Sequence, residues 1–124
     1  MISLTTETII RLHDERVIQA HELQGLVPDK SLEAAIARID TRLDYGLIED
    51  VFQLAACYAA FIAEAHAFND ANKRTAFAAM DMILVLNGVE IDYSPQEAGD
   101  MIIKIVTKQI DETVLAEWLR SLQT

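Results

Sequence analysis

The sequence predicts an all-α fold: a single compact bundle of about six helices in one domain spanning residues 1–124. Apolar residues make up 52% of the chain, with only four glycines and two prolines, which favours a folded protein over a disordered one. They recur at three- and four-residue spacings, the period of an amphipathic helix. A length of 124 residues suits one hydrophobic core and is short for two.

The N-terminal third is predicted to form two helices. The first begins at Thr5 or Thr6, either of which can serve as the N-cap, and runs to Ala20. After a loop, Asp29 or Ser31 can cap the second helix. Its buried stripe, followed by the residues that break it, is Leu32, Ile36, Ile39 and Leu43, then Tyr45 and Gly46.

The third helix, over about residues 49–65, is apolar nearly all round and is predicted to be the centre of the core. Its apolar stretch is shorter than the roughly 20 residues that a helix needs to cross a bilayer. The N-terminus lacks the basic and apolar regions of a secretory signal. We therefore expect a cytoplasmic protein without membrane contact. Cys57 is the only cysteine, and its apolar neighbours predict an inert core thiol.

The fourth helix is expected to start within residues 66–72, which are rich in Asn and Asp, and to reach Leu86. Asn87-Gly88 supplies a left-handed stop. The run over residues 89–93 is expected to be extended.

The clearest local signal is Ser94-Pro95-Gln96-Glu97, which combines an N-cap, a proline at the first helical position and a capping-box glutamate. It predicts a fifth helix that runs to about Lys108. A sixth helix is expected over about residues 111–122. Its predicted inward side consists of Val114, Leu115, Trp118, Leu119 and Leu122.

The charge balance argues against a general nucleic-acid-binding role. Ten basic and twenty acidic side chains give a formal charge of −10, which repels a polyphosphate backbone over most of the surface. The segment from His66 to Arg74 differs, because Lys73 and Arg74 outnumber its single carboxylate, Asp70. Such a pair in an acidic chain either binds an anion locally or is an ordinary solvated pair.

The turn before the fourth helix has the features of a phosphate site. The first N–H groups of a helix lack internal partners and carry partial positive charge. A phosphate near Ala71, Asn72 and Lys73 would also meet the Lys73 ammonium and the Arg74 guanidinium. Asp70 suits a magnesium ion shared with the phosphates, or it simply caps the helix.

His66 follows the apolar third helix, four residues before Asp70. A neutral imidazole there is able to take a proton near pH 7, or it serves only to interact with the helix dipole. Phe68 is expected to point into the core and fix the turn. His13 and His21 have no comparable neighbours and are interpreted as ordinary histidines.

The nine residues HAFNDANKR, from His66 to Arg74, resemble the signature of the Fic/Doc family, in its Doc form. The pattern fixes six or more positions within nine residues, which makes it specific. The similarity extends to the LHD at Leu12 to Asp14, to the helix LEAAIARI, to the central helix and to the length, so it covers nearly the whole chain.

The resemblance implies a role for each motif residue. His66 would activate a target hydroxyl as the base, and Asp70 would hold Mg²⁺. The nucleotide phosphates would be bound by Asn72, Lys73 and Arg74, with Phe68 anchoring the loop. AMP-transferring Fic enzymes have glycine at the positions of Ala71 and Lys73 and a second arginine at that of Phe77. These departures favour the Doc branch, which resembles a kinase.

That branch implies a toxin that moves the γ-phosphate of ATP to a threonine of elongation factor Tu and stops translation. It also implies a Phd-type antitoxin whose flexible segment folds into a groove on the bundle. Two other functions stay open at this point. One is AMP transfer to a protein hydroxyl with the same base and metal ligand, and the other is a non-catalytic helical interaction module.

Overall fold

The computed structural model describes residues 1–20, 32–65 and 72–123, and within them the chain forms six α-helices. These are α1 (Thr6–Ala20), α2 (Leu32–Asp44), α3 (Val51–Ala65), α4 (Asn72–Leu86), α5 (Pro95–Val106) and α6 (Glu112–Ser121). Within these ranges the one β pairing is an isolated antiparallel bridge between Ile91 and Gln123. The all-α prediction is confirmed. The predicted caps Asp29 and Ser31 lie outside the described residues.

Helix α3 is the centre of the bundle. Eleven of its fifteen residues are buried, and it packs against α2, α4, α5 and α6. Five of the buried residues are alanines, whose small side chains allow neighbouring helices to approach closely. No helix within the described ranges is long and apolar enough to cross a membrane.

Side chains placed just before four helices fix where those helices begin. The hydroxyl of Thr5 accepts a hydrogen bond from the Thr8 N–H (3.2 Å) and confirms Thr5 as the cap of α1. Ser94 accepts from the Glu97 N–H at 3.0 Å, as predicted for α5. The other two caps are carboxylates, each three residues before its donor: Asp50 to Gln53 (2.9 Å) and Asp111 to Val114 (3.0 Å). Since Asp50 is the cap, α3 begins slightly later than predicted.

Three helices end with the same backbone turn. After α2, α4 and α5 the chain adopts a positive φ, at Gly46 (70°), Gly88 (75°) and Lys108 (60°). In each turn, the N–H of the residue that follows the positive-φ residue donates a hydrogen bond to the carbonyl of the third residue from the end of the helix. After α4, for example, the Val89 N–H donates to the Leu84 carbonyl at 2.9 Å. This is the Schellman pattern. The predicted stops at Tyr45-Gly46 and Asn87-Gly88 are confirmed. The same turn, with Thr107 as the C-cap and Lys108 at positive φ, ends α5 at Val106, slightly before the predicted end at about Lys108.

One predicted core position is wrong. Val114 is 44% exposed, whereas the buried residues of α6 are Leu115, Ala116 and Leu119. At 100° per residue, Val114 lies about 100° away from Leu115 on the side opposite Ala116, so it falls outside this stripe. On α2, Leu43 packs at the edge of the core and is only partly buried.

The N-terminal segment is tied to the C-terminal end of α4. The side chain of Asn87 accepts a hydrogen bond from the Ile2 N–H (2.7 Å) and donates one to the Ile2 carbonyl (2.9 Å). The Tyr58 hydroxyl makes the same pair of contacts with the backbone of Leu4, both at 3.0 Å. These contacts determine where α1 enters the bundle.

Candidate functional site

The structure places three of the five predicted site residues at the N-terminal end of α4. Asn72 is the first helical residue, and Lys73 and Arg74 follow it with exposed side chains. His66 and Asp70 lie outside the described residues, as does Phe68. The roles of all five residues stay predictions.

This end of α4 is electropositive for two reasons. Its first N–H groups have no partners within the helix, and the helix dipole adds partial positive charge. The first turn also carries no acidic residue and presents two cations. Arg74 also makes an interaction within the protein. An anion at this end is stabilised by both the backbone and the side chains.

A groove of about 430 Å³ runs from these cations between α4 and α5. Lys73 and Arg74 form one edge, and the remaining lining is apolar: Phe77, Pro95, Gly99, Ile102 and Ile103. Phe77 follows Lys73 by four residues and therefore lies on the same face of α4. Ile103 is 44% exposed at the opposite wall. The groove thus joins a cationic edge to an apolar surface.

A chain of aromatic rings holds the wall of this groove. Phe77 packs edge-on against Tyr93 with ring centroids 5.9 Å apart, and Tyr93 packs edge-on against Trp118 at the same distance. The Tyr93 hydroxyl donates a hydrogen bond to Asp81 at 2.8 Å. Burial, followed by this carboxylate, raises the pKa of Tyr93, so the hydroxyl stays protonated and keeps donating. Phe77 is therefore fixed in orientation.

Comparison with known proteins decides the family. The sequence matches the model of the Fic/DOC family over residues 3–84. The chain belongs to the Fic/DOC family. It is 36% identical to Protein kinase doc of Escherichia phage P1 over 122 aligned residues. The alignment covers 98% of this chain and 96% of that protein. It is also 34% identical over 91 residues to Toxin Doc of Mycolicibacterium smegmatis, with 69% of each chain covered.

The Doc branch is therefore confirmed, and within it the position of Phe77 is informative. By the sequence resemblance, AMP-transferring Fic enzymes have an arginine at this position. In this Fic/DOC chain the position holds a ring that packs against Tyr93 and lines the apolar part of the groove. The sequence marks Phe77 as a departure, but no pattern in it predicts the contact with Tyr93 or Trp118.

Two other polar features lie away from the groove. His13, interpreted from sequence as an ordinary histidine, is completely buried and lies 3.1 Å from Asp14. Cys57 is buried, and its burial raises the pKa of the thiol; this supports the predicted inert role, since the thiolate is the reactive form. Among the described residues, no cluster of three or more His, Cys, Asp or Glu is arranged to hold a metal.

The C-terminal end of α3 is bordered by charged side chains on other helices. The guanidinium groups of Arg38 and Arg42 stack on the Phe61 ring at 4.2 and 4.6 Å from its centroid. Arg42 also pairs with Glu112 at 2.9 Å, which links α2 to α6. A cavity of about 380 Å³ lies beside Arg38 and Ala65, the last described residue before His66. These contacts fix the helix that leads into the motif.

Proposed function

We propose that this chain is the toxin of a toxin–antitoxin pair and a protein kinase of the Doc type. It transfers the γ-phosphate of ATP to a threonine hydroxyl of elongation factor Tu and arrests translation. The observation that carries the proposal is the exposed pair Lys73 and Arg74 on the first turn of α4, beside an apolar groove. The similarity to Protein kinase doc over nearly the full length of both proteins supports it.

The described residues fit a nucleoside triphosphate. Its phosphates carry several negative charges, which the helix N-terminus, Lys73 and Arg74 are suited to bind. Asn72 contributes its backbone N–H to the same end. Lysine acts as a compact charge, whereas the planar guanidinium of arginine is able to make two parallel hydrogen bonds. The two side chains therefore hold phosphate oxygens in different ways.

Mg²⁺ would be held by Asp70 together with phosphate oxygens and water, since magnesium needs only one or two carboxylates. When bound, it supplies neutralisation of the charge that develops on the phosphoryl oxygens. The protein is then required mainly to align the reactants. His66 takes the proton from the attacking hydroxyl, and the N-terminal end of α4 stabilises the charge on the transferred group.

Lys73 and Phe77 favour γ-phosphate transfer over AMP transfer. The stem of Lys73 fills space that a glycine leaves for the α-phosphate, and its ammonium binds a terminal phosphate. Phe77 packs on Tyr93 and is unable to neutralise an α-phosphate. The wall of the groove thereby lacks one of the charges that AMP transfer uses in the related enzymes.

As parts of the same proposal, residues 1–124 form one Fic/Doc-like domain that acts in the cytoplasm, and a Phd-type antitoxin neutralises it. The acidic surface, with a formal charge of −10, disfavours general nucleic-acid binding. A flexible antitoxin segment that orders on binding suits such regulation, because it is able to cover a large surface of its partner.

The proposal is tested with a bacterial lysate and ATP labelled at either the α- or the γ-phosphate. We expect one labelled protein from γ-labelled ATP and none from α-labelled ATP. Lys73→Gly should lower the γ-transfer, whereas Lys104→Gly, which removes an exposed lysine from α5, should not. Label from the α position alone would instead establish AMP transfer. Absence of magnesium-dependent nucleotide binding would favour a non-catalytic interaction module.

A further inference from the structure

A cavity at the C-terminal end of α3 is lined by side chains of opposite charge. Its volume is about 380 Å³, and its walls come from α2, from the end of α3 and from the end of α5. Arg38 of α2 and Glu64 of α3 both line it and are both exposed. Among the residues that the structure describes, neither side chain has a hydrogen-bond or ion-pair partner. Both charges are therefore available to a molecule that enters the cavity.

An aromatic ring holds Arg38 in place. Its guanidinium carbon lies over the Phe61 ring, 4.2 Å from the ring centroid. Stacking on a ring uses the face of a guanidinium and leaves the N–H groups in its plane available for hydrogen bonds. Arg42 lies over the same ring at 4.6 Å and uses such an N–H group to donate to Glu112 at 2.9 Å. Arg38 is thus a second guanidinium held in the same way, and it is suited to bind a carboxylate.

The cavity borders the residue that precedes the proposed base. Ala65 lines the cavity, and His66 follows it in the sequence. Since consecutive Cα atoms are about 3.8 Å apart, a molecule in contact with Ala65 lies close to the backbone of His66. The groove beside Lys73 and Arg74 has no lining residue in common with this cavity. A protein substrate and the phosphates of a nucleotide are therefore able to approach the motif through separate openings.

The mixed charge of the cavity favours a polypeptide over a nucleotide. A nucleoside triphosphate carries several negative charges, which Glu64 repels. A polypeptide carries side chains of both signs, so a carboxylate at Arg38 and a cation at Glu64 satisfy both charges, and such complementarity fixes the register of a bound chain. Lys108 also lines the cavity, from the loop after α5. No aromatic ring among the described residues holds its ammonium, and it is not part of the proposed contact.

We propose that this cavity docks a segment of the protein substrate, and that Arg38 binds a carboxylate of that segment close to the hydroxyl that accepts the phosphate. The inference rests on the proposed function, because it needs a protein as the acceptor. Arg38 then determines which proteins are accepted and takes no part in the transfer itself. Glu64 contributes by pairing with a cation of the same segment. Acceptors should therefore carry an acidic side chain near the phosphorylated residue.

Charge reversal at exposed positions tests the proposal. Arg38→Glu replaces a group that attracts a carboxylate with one that repels it, and Glu64→Lys does the same for a cation. Arg38→Gln is a milder change that removes the charge and keeps a polar side chain. Lys104→Glu is the matched control, because Lys104 is exposed on α5 and does not line the cavity. It changes the net charge by as much as Arg38→Glu.

We expect Arg38→Glu to raise the KM for elongation factor Tu about tenfold or more. Its kcat and its KM for ATP should stay within about twofold of the wild type, since the contact serves binding of the acceptor alone. Arg38→Gln and Glu64→Lys should raise the same KM by less, and Lys104→Glu should leave it unchanged. An unchanged KM for elongation factor Tu in folded Arg38→Glu and Arg38→Gln would overturn the docking site. A rise confined to the KM for ATP would also overturn it and would assign Arg38 to the nucleotide.

Direct binding separates this inference from the proposed function. Purified elongation factor Tu is titrated into each variant by calorimetry without ATP, so that no transfer takes place. Arg38→Glu should lower the affinity about tenfold or more, and Lys104→Glu should not. If the reversal weakens binding although the wild type phosphorylates nothing, the proposed function fails and the docking site stands. If elongation factor Tu is phosphorylated but binds Arg38→Glu as tightly as the wild type, the docking site fails and the kinase stands.

Discussion

Helix α3 and the first turn of α4 are neighbours in sequence and differ sharply in what they expose. Helix α3 buries eleven of its fifteen side chains and packs on four other helices. The first turn of α4 presents Lys73 and Arg74 to solvent. The side chains that stabilise the fold are therefore largely separate from those proposed to carry out the chemistry. Substitutions in the two regions should therefore have opposite signatures.

The largest expected effect is on the chemistry, from His66→Ala. Loss of the proposed base should lower phosphate transfer about 10²- to 10⁴-fold. If His66 acts only as the base, helical content and the melting temperature should barely change. Transfer assays on the purified variant, with circular dichroism as the control, measure both. Near-wild-type transfer would show that His66 is not the base.

The matched change in α3 should do the reverse. Leu54 is completely buried, and Leu54→Ala leaves a cavity that costs about 2–5 kcal/mol of unfolding free energy. Urea denaturation measures the loss. Transfer per folded molecule should stay close to wild type at low temperature, since the α4 end is unchanged. A proportional fall in the transfer rate per folded molecule would mean that the two regions are not separable.

The sequence predicts these two regions unequally. The apolar run of α3 and the cap at Ser94 were readable because each depends on residues close in sequence. The groove was not readable, because it is lined jointly by Phe77 from α4 and by Ile102 and Ile103 from α5. Such contacts follow from how the helices pack and leave no periodic signal.

Burial of single side chains shows the same limit. Val114 was predicted to face inward because it is apolar and next to Leu115, but α6 contacts the core along a narrower stripe. The complete burial of His13 was not predicted, because local sequence does not reveal which elements pack over α1. The motif itself was recognisable through its fixed spacing from His66 to Arg74, although its side-chain roles await the variants proposed above.

A smaller effect is expected from Asp70→Asn, which separates metal binding from helix capping. Asparagine is also a good N-cap, so stability should be preserved. Loss of the carboxylate should raise the magnesium concentration required for half-maximal transfer on the order of tenfold or more. Removing even a side chain that only hydrogen-bonds to a metal ligand typically lowers metal affinity by about tenfold or more. A magnesium titration of both proteins is the measurement. An unchanged requirement would leave Asp70 as a cap alone.

The smallest expected effect concerns stability at a third place, the end of α5. Three helices end in the same left-handed turn, two of them at glycines and one at Lys108. A residue with a Cβ pays a steric cost in this conformation that glycine avoids. Lys108→Gly should therefore raise the unfolding free energy by about 0.5–1 kcal/mol, after the greater chain entropy of glycine in the unfolded state is subtracted.

The matched control makes the same chemical change four residues earlier. Lys104 lies in the last turn of α5, where φ is helical, so Lys104→Gly should destabilise by roughly the same amount. Thermal unfolding of the two variants should thus shift in opposite directions by about 2–6 °C, with transfer unchanged in both. If Lys108→Gly were also destabilising, the side chain of Lys108 would be making contacts that outweigh the strain of its backbone.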